Sequence, residues 1–256
     1  MLLHDILGRA FSFDTPPQRV VSLVPSLTET LFDLGAGDSV AAITNYCIFP
    51  PGLERPRIGG TKNPDVDAIR ELAPDLVYMN LEENLERQAK LIEQFATVFV
   101  TEPKSIADVV ALLTTLGAIH RCDERAATLV SELRHEINQE PQDLFTFACA
   151  IWKQPWKWCG GDTYLSNLVT AAGGMNILQQ TSRYPSIELE TVVALKPNVI
   201  FLPDEPYAFT TDDAAEVERL SGARVIGPFP GHLFTWHGTR TIEGLRFLRT
   251  ALSTSA

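Results

Sequence analysis

The sequence predicts an α/β protein of two similar lobes with mostly parallel sheets, joined by a long rigid helix, with a ligand cleft between the lobes. Three observations lead there. The first is a near copy: "ELAPDLVYMN" begins at Glu71 and "ALKPNVIFLP" at Ala194. Pro74 and Pro197 stand 123 positions apart, and the residues before them match in kind, "DVDAIREL" against "IELETVVAL". Solenoid repeats are far shorter, so a unit of this length is a lobe with its own core. The second is an alternation of short apolar runs with amphipathic helical runs, the pattern of parallel strands covered on both faces. The third is a wholly helical middle from Ser105 to about Asn138. These divide the chain into an N-terminal α/β lobe over 1–102, a connecting helical segment over 103–141 and a C-terminal α/β lobe over 142–256.

The elements follow in order. "RVVSLVPS" is a buried strand rich in β-branched residues, and "SLTETLFDLGAG" a helix. Ser26 and Glu29 have capping-box spacing, with Gly35 and Gly37 as the stop. A strand "SVAAITNYC" precedes the proline-rich loop "IFPPGLERPRIGGTKNP". A helix from about Asp65 to Leu72 ends before Pro74, which lacks the next helical N–H. A strand from Asp75 to Met79, a helix around Glu83 to Phe95 and the strand "TVFVTE" complete the lobe. The helical middle breaks near Gly117 to Asp123. Its second part, "DERAATLVSELRHEIN", has one apolar face and a length of about 24 Å at 1.5 Å per residue. The second lobe repeats the scheme with "LFTFACAIW", the turn "CGGDT", the helix "YLSNLVTAAGG", the repeat helix and strand, "ARVIG", and a last helix after Thr239.

Composition excludes several classes. The chain has 256 residues, 45% hydrophobic and 21% charged, which is globular rather than disordered. A net charge of −11 repels nucleic-acid phosphates, and no basic cluster offsets it. No run approaches the roughly 18 apolar residues of a spanning helix, so membrane insertion is not expected. The four cysteines, Cys47, Cys122, Cys149 and Cys159, form no C-x-x-C and read as small buried residues. The N-terminus has no basic n-region, long apolar h-region or small-residue cleavage site, so the residues as written predict no export.

"RVVSLVPSLTETLFDLGAGDSVAAITNYC", "PDVDAIRELAPDLV", "GGDTYLSNLVTAAGGMNIL" and "RYPSIELETVVALKPNVIFL" resemble the substrate-binding proteins of ABC importers for cobalamin, haem and ferric siderophores. The likeness runs from about residue 5 to 252 and is nearest the cobalamin-binding branch. It implies a receptor rather than an enzyme, with a corrinoid or other metal chelate as ligand, an ABC permease dimer as partner, a monomeric state and a place in the periplasm or cell envelope. In that branch a tyrosine in a "Y-x-x-x-P-P" setting packs on the corrinoid, which maps to Tyr46 in "YCIFPP". The aromatic before the proline of the second repeat helix maps to Tyr184. An often aromatic first-lobe partner falls on Thr61. Each lobe of such receptors carries an acid that docks on permease arginines. The shared register gives Asp67 and Glu190, whose plain alternative is a solvated acid favoured by the helix dipole.

Other candidates come from the residues themselves. Trp152, Trp156 and Trp158 crowd "IWKQPWKWCGGD" at a strand end, where Trp158 or Trp156 is expected to stack on a planar ligand or else to seal the core. "TWHGTR" adds Trp236, His237 and Arg240: a histidine able to ligate haem iron or cobalt, and a guanidinium fork suited to a propionate or phosphate. Tyr207 follows the second repeat strand beside Asp204 and Glu205; the matching first-lobe loop holds Asn80, Glu82 and Glu83. No resident cofactor or metal is expected. The competing class is a cytosolic enzyme or carrier on the same fold, against which no G-x-S-x-G, H-E-x-x-H or P-loop is present.

Overall fold

The computed structural model describes residues 2–141 and 143–253. Met1 and Gln142, at two of the domain limits expected from sequence, and the last three residues lie outside them. The chain divides into two compact units, the first running through Pro103 and again over Val109–Glu132, the second over Lys104–Asp108 and from Leu133 onward.

In the first unit a small antiparallel ribbon, β1 (Leu3–His4) and β2 (Ala10–Phe11), precedes β3 (Val20–Ser22), α1 (Pro25–Asp33), β4 (Val40–Ile43), α2 (Val66–Glu71), β5 (Leu76–Asn80), α3 (Glu86–Ile92) and β6 (Thr97–Thr101). The main sheet has the order β4-β3-β5-β6, parallel throughout. Helix α1 starts one residue before the expected cap. Val24 is the N-cap, with no side-chain hydrogen bond, and Pro25 fills the first turn where its missing N–H costs nothing. Ser26 is therefore inside the helix, and the expected capping box does not form there. The helical middle consists of α4 (Ile106–His120) and α5 (Asp123–Ile137). They break at Arg121, with φ of 58°, inside the interval expected from sequence.

The second unit adds β7 (Phe145–Trp152), β8 (Lys157–Trp158), α6 (Tyr164–Ala171), β9 (Gly174–Asn176), α7 (Leu189–Ala194), β10 (Val199–Pro203), α8 (Thr211–Ser221), β11 (Arg224–Phe229), α9 (His232–Thr235) and α10 (Arg240–Ser253). Strands β9, β7, β10 and β11 pair in that order, all parallel, and β8 pairs antiparallel with the end of β7. Each unit thus holds four parallel strands in one spatial order.

The repeat is reproduced residue by residue. Helices α2 and α7 and strands β5 and β10 lie 123 positions apart at both ends. Both helices leave through a left-handed residue before the proline, Ala73 with φ of 43° and Lys196 with φ of 53°. The cores repeat as well: Ile69, Val77 and Met79 pack in one cluster, and their counterparts Val192, Ile200 and Leu202 in the other. On both central strands every residue is buried, because helices cover the two sheet faces. Among the described residues no helix is long and apolar enough to cross a membrane.

Candidate functional site

Parallel strands place all their carboxyl ends at one edge, and the loops leaving that edge are where an open α/β sheet holds a ligand. In the first unit that edge carries Tyr46, three residues beyond β4. The residue is 61% exposed, a large hydrophobic side chain left to solvent. A Cβ on Gly60 would come 3.3 Å from the Tyr46 ring, so this glycine lets the loop pass close behind the tyrosine. Beneath it, Cys47 is buried against the Thr28 and Thr44 hydroxyls at 3.2 and 3.3 Å. Burial pushes the Cys47 thiol up despite those hydrogen bonds.

Thr61 is half-buried and held by its backbone. The Asn84 amide donates to the Thr61 carbonyl at 2.9 Å and to the Leu23 carbonyl at 3.1 Å, while its Oδ1 accepts from the Asn80 N–H at 2.7 Å. Asn80 in turn accepts from Glu82 N–H at 2.8 Å and donates to Thr101 at 3.3 Å. Two buried asparagines therefore lock the loops at the ends of β3 and β5 to the one carrying Thr61. Asn80 is on this loop as expected from sequence, whereas Asn84 carries no local signal that marks its role.

In the second unit a row of five rings runs from core to surface. Trp158 is fully buried; Trp156 stacks on it at 5.5 Å and on Phe209 at 6.0 Å. Tyr207 lies 4.7 Å from Phe209, and Trp152 meets Tyr207 edge-on at 5.5 Å. Trp158 is thus a core residue, correcting its expected exposure to ligand. It sits opposite the small Ala150, and its indole N–H is spent on the Ile187 carbonyl at 2.8 Å. Trp156 and Tyr207 are half-buried, and the exposed end of the row is Trp152, 40% accessible, which the sequence reading passed over in favour of its neighbours. Lys153 covers Trp156 at 5.7 Å and is anchored by Asp213 at 2.6 Å and Glu216 at 2.8 Å.

The "TWHGTR" residues divide differently from expectation. His237 is buried, with its ring edge-on to Tyr164 at 6.1 Å, and burial lowers its pKa to about 4. It is a core imidazole, which corrects the placing of His237 among the residues that touch ligand and leaves it as an interior residue. Trp236 is also buried, so its ring is not free to stack. Its side chain and that of Thr235 hydrogen-bond to Glu205, whose carboxyl is nonetheless raised by burial and by neighbouring Asp204. Asp204 accepts from the Gly231 N–H at 2.6 Å. Arg240 opens α10, half-buried, close enough to His232 to help burial lower that imidazole.

Tyr184 is half-buried with the Arg183 guanidinium 5.7 Å from its ring. The glycine-rich turn is no anion cradle. Gly160 and Gly161 donate to the Arg183 and Thr181 carbonyls at 2.8 and 2.9 Å, and a Cβ on Gly161 would fall 2.2 Å from the Gln179 carbonyl. Cys159 is buried on the same hairpin.

Asp67 and Glu190 occupy the same place, the second residue of α2 and of α7, and both are exposed. They differ in company. Asp67 pairs with Arg70 at 2.7 Å, whereas the second-unit counterpart of Arg70 is Val193.

Residues 20–221 match the Periplasmic binding protein family. A vitamin B12-binding protein of Vibrio cholerae is 27% identical over 231 residues, covering 81% of each chain. An uncharacterized ABC transporter substrate-binding lipoprotein of Bacillus subtilis is 24% identical over 98% of this chain and 84% of its own. The crystal structure of the periplasmic vitamin B12 binding protein of Vibrio cholerae superposes with a TM-score of 0.76 at 21% identity, covering 93% of this chain and 97% of that one.

Proposed function

The chain belongs to the periplasmic binding protein family, and on that footing we propose that it captures a cobalamin-like corrinoid or a related metal chelate and delivers it to an ABC importer. The observation that carries the reading is exposed aromatic surface at the carboxyl ends of the parallel strands in each unit: Tyr46 in the first, Trp152 with Tyr207 in the second. Such surfaces suit a broad, flat, partly apolar macrocycle, which gains from ring stacking and burial and needs no bond chemistry from the protein. The relatives named for vitamin B12 binding support the corrinoid over other chelates. Tyr46, Trp156, Tyr184 and Tyr207 are the assigned contact residues, joined by Trp152. Thr61 and Arg240 supply polar groups. Buried Trp158, Trp236 and His237 support the site from within. Asp67 and Glu190 are the permease-docking acids, the receptor acts as a monomer, and its place is the cell envelope.

The test is an absorbance titration of the purified protein with cobalamin, cobinamide, hemin and a ferric siderophore, checked by calorimetry. Saturable one-to-one binding of cobalamin or cobinamide is expected. Saturation by hemin or the siderophore alone would replace the corrinoid, and silence from all four would remove the receptor reading.

A further inference from the structure

The free cysteines are not equivalently placed. Ala150 of β7 pairs with Trp158 of β8, so the antiparallel register sets Cys149 opposite Cys159, and the Cys159 N–H donates to the Cys149 carbonyl at 2.9 Å. Directly opposite residues project to one face with Cα atoms about 4.5–5.5 Å apart, within the roughly 4.4–6.8 Å that a disulfide spans. The Cys149 thiol donates to the Ala150 carbonyl at 3.8 Å, and Cys159 is near enough to help burial raise its pKa. Cys47 is enclosed by Thr28 and Thr44, and Cys122 sits at the break between α4 and α5 with its thiol on the His120 carbonyl.

We propose that Cys149 and Cys159 are a disulfide-forming pair that oxidation closes into a staple across the β7–β8 hairpin. The hairpin carries Trp152 and Trp156, so the staple would fix the base of the aromatic row. This goes beyond the ligand reading and does not depend on it, although the cell-envelope location proposed above is an oxidising one. The co-reactant is a disulfide oxidant. One cysteine thiolate attacks a sulfur of that oxidant, forming a mixed disulfide and releasing one thiol; the second thiolate attacks the first cysteine's sulfur, closing the bond and releasing the other thiol. Two protons and two electrons leave the pair, and one disulfide of the oxidant is reduced to two thiols.

Both thiols are buried, and burial pushes Cys149 well above the ordinary thiol range, so the closed hairpin resists attack. The bond therefore forms while the hairpin is open, during folding. To test this, the full chain is unfolded in guanidinium, refolded with oxidised glutathione, alkylated, and digested without reduction. Trypsin cuts after Lys153 and Lys157, between the two cysteines, so the linkage holds together two peptides that reduction separates. Expected are that linked pair, alkylated Cys47 and Cys122, and, in Cys149→Ser, no linked pair. Already folded, reduced protein should lose these thiols at least about tenfold more slowly under the same oxidant, because a buried thiol must await opening. The same mapping on protein exported behind an added leader into a bacterial periplasm covers the case of poor refolding. Four free thiols in both preparations, or scrambled linkages involving Cys47 or Cys122, would overturn the proposal.

Discussion

A tryptophan's contribution here depends on which end of the ring row it occupies. Trp158→Ala would empty a fully buried site and orphan the Ile187 carbonyl, and about 3–5 kcal/mol of stability should be lost in denaturant unfolding. Trp152→Ala removes an exposed ring and should leave the unfolding midpoint nearly unchanged while weakening corrinoid binding. Tyr46→Ala should do the same, and unaltered affinity in both would dismiss the aromatic assignment. The two buried histidines make a different prediction. Burial holds His120, which contacts the Tyr78 hydroxyl at 2.9 Å, and His237 each at a pKa of about 4. Between about pH 4 and the ordinary histidine value the unfolded chain binds more protons than the folded one. Stability should therefore fall on acidification through that window, by up to roughly 3 kcal/mol per histidine, and level off below it. His120→Gln should flatten the fall, as read by urea midpoints at pH 7 and 4.5. The sequence marks Tyr46 only through the resemblance of "YCIFPP" to the cobalamin-binding branch; its exposure beyond β4 comes from the fold. The places of the tryptophans were not legible, because Trp158 goes inward opposite Ala150 only once β7 and β8 pair with a register shift, which residue alternation along the chain does not reveal.

At the scale of the element, the repeat helix and strand make a matched prediction. Ala73 and Lys196 occupy left-handed backbone that costs a non-glycine residue roughly 1–2 kcal/mol. After the extra chain entropy of glycine is subtracted, Ala73→Gly and Lys196→Gly should each stabilise by up to about 1 kcal/mol. Thermal unfolding of the two variants should shift in the same direction, and opposite signs would mean that the two turns are not equivalent. These elements were legible because helix, proline and buried strand are all encoded within one continuous stretch, Val66–Asn80 and again Leu189–Pro203. Strands β8 and β9, of two and three residues, were not, since each depends on its pairing with β7, and β8 also on a bridge from Lys157 to Ser186. The start of α1 was misplaced for a related reason. Capping-box spacing at Ser26 competes with a proline at the first helical position, and the proline's fixed φ prevails.

At the scale of the whole molecule, two lobes built on one plan suit a partner with two equivalent subunits, because each half can present a carboxylate at the same helical position, Asp67 in one and Glu190 in the other. Asp67→Ala combined with Glu190→Ala should leave corrinoid titrations unchanged and abolish most uptake in importer-bearing vesicles; loss of ligand affinity in that double variant would contradict the docking role. Glu190 should matter more of the two, since Asp67 already shares its charge with Arg70. The division of the chain has one more consequence. Neither unit is a single stretch: the first takes back Val109–Glu132 after the second has claimed Lys104–Asp108. A ribosome therefore releases the opening residues of the second unit before the first is complete. A nascent chain stalled with Pro103 just emerged lacks Leu113, Leu116 and Ile119, three side chains buried in the finished protein, and should be cut readily by a protease. Once Glu132 has emerged that sensitivity should drop, so the order of synthesis sets when the first half of this protein can begin to exist as a folded body.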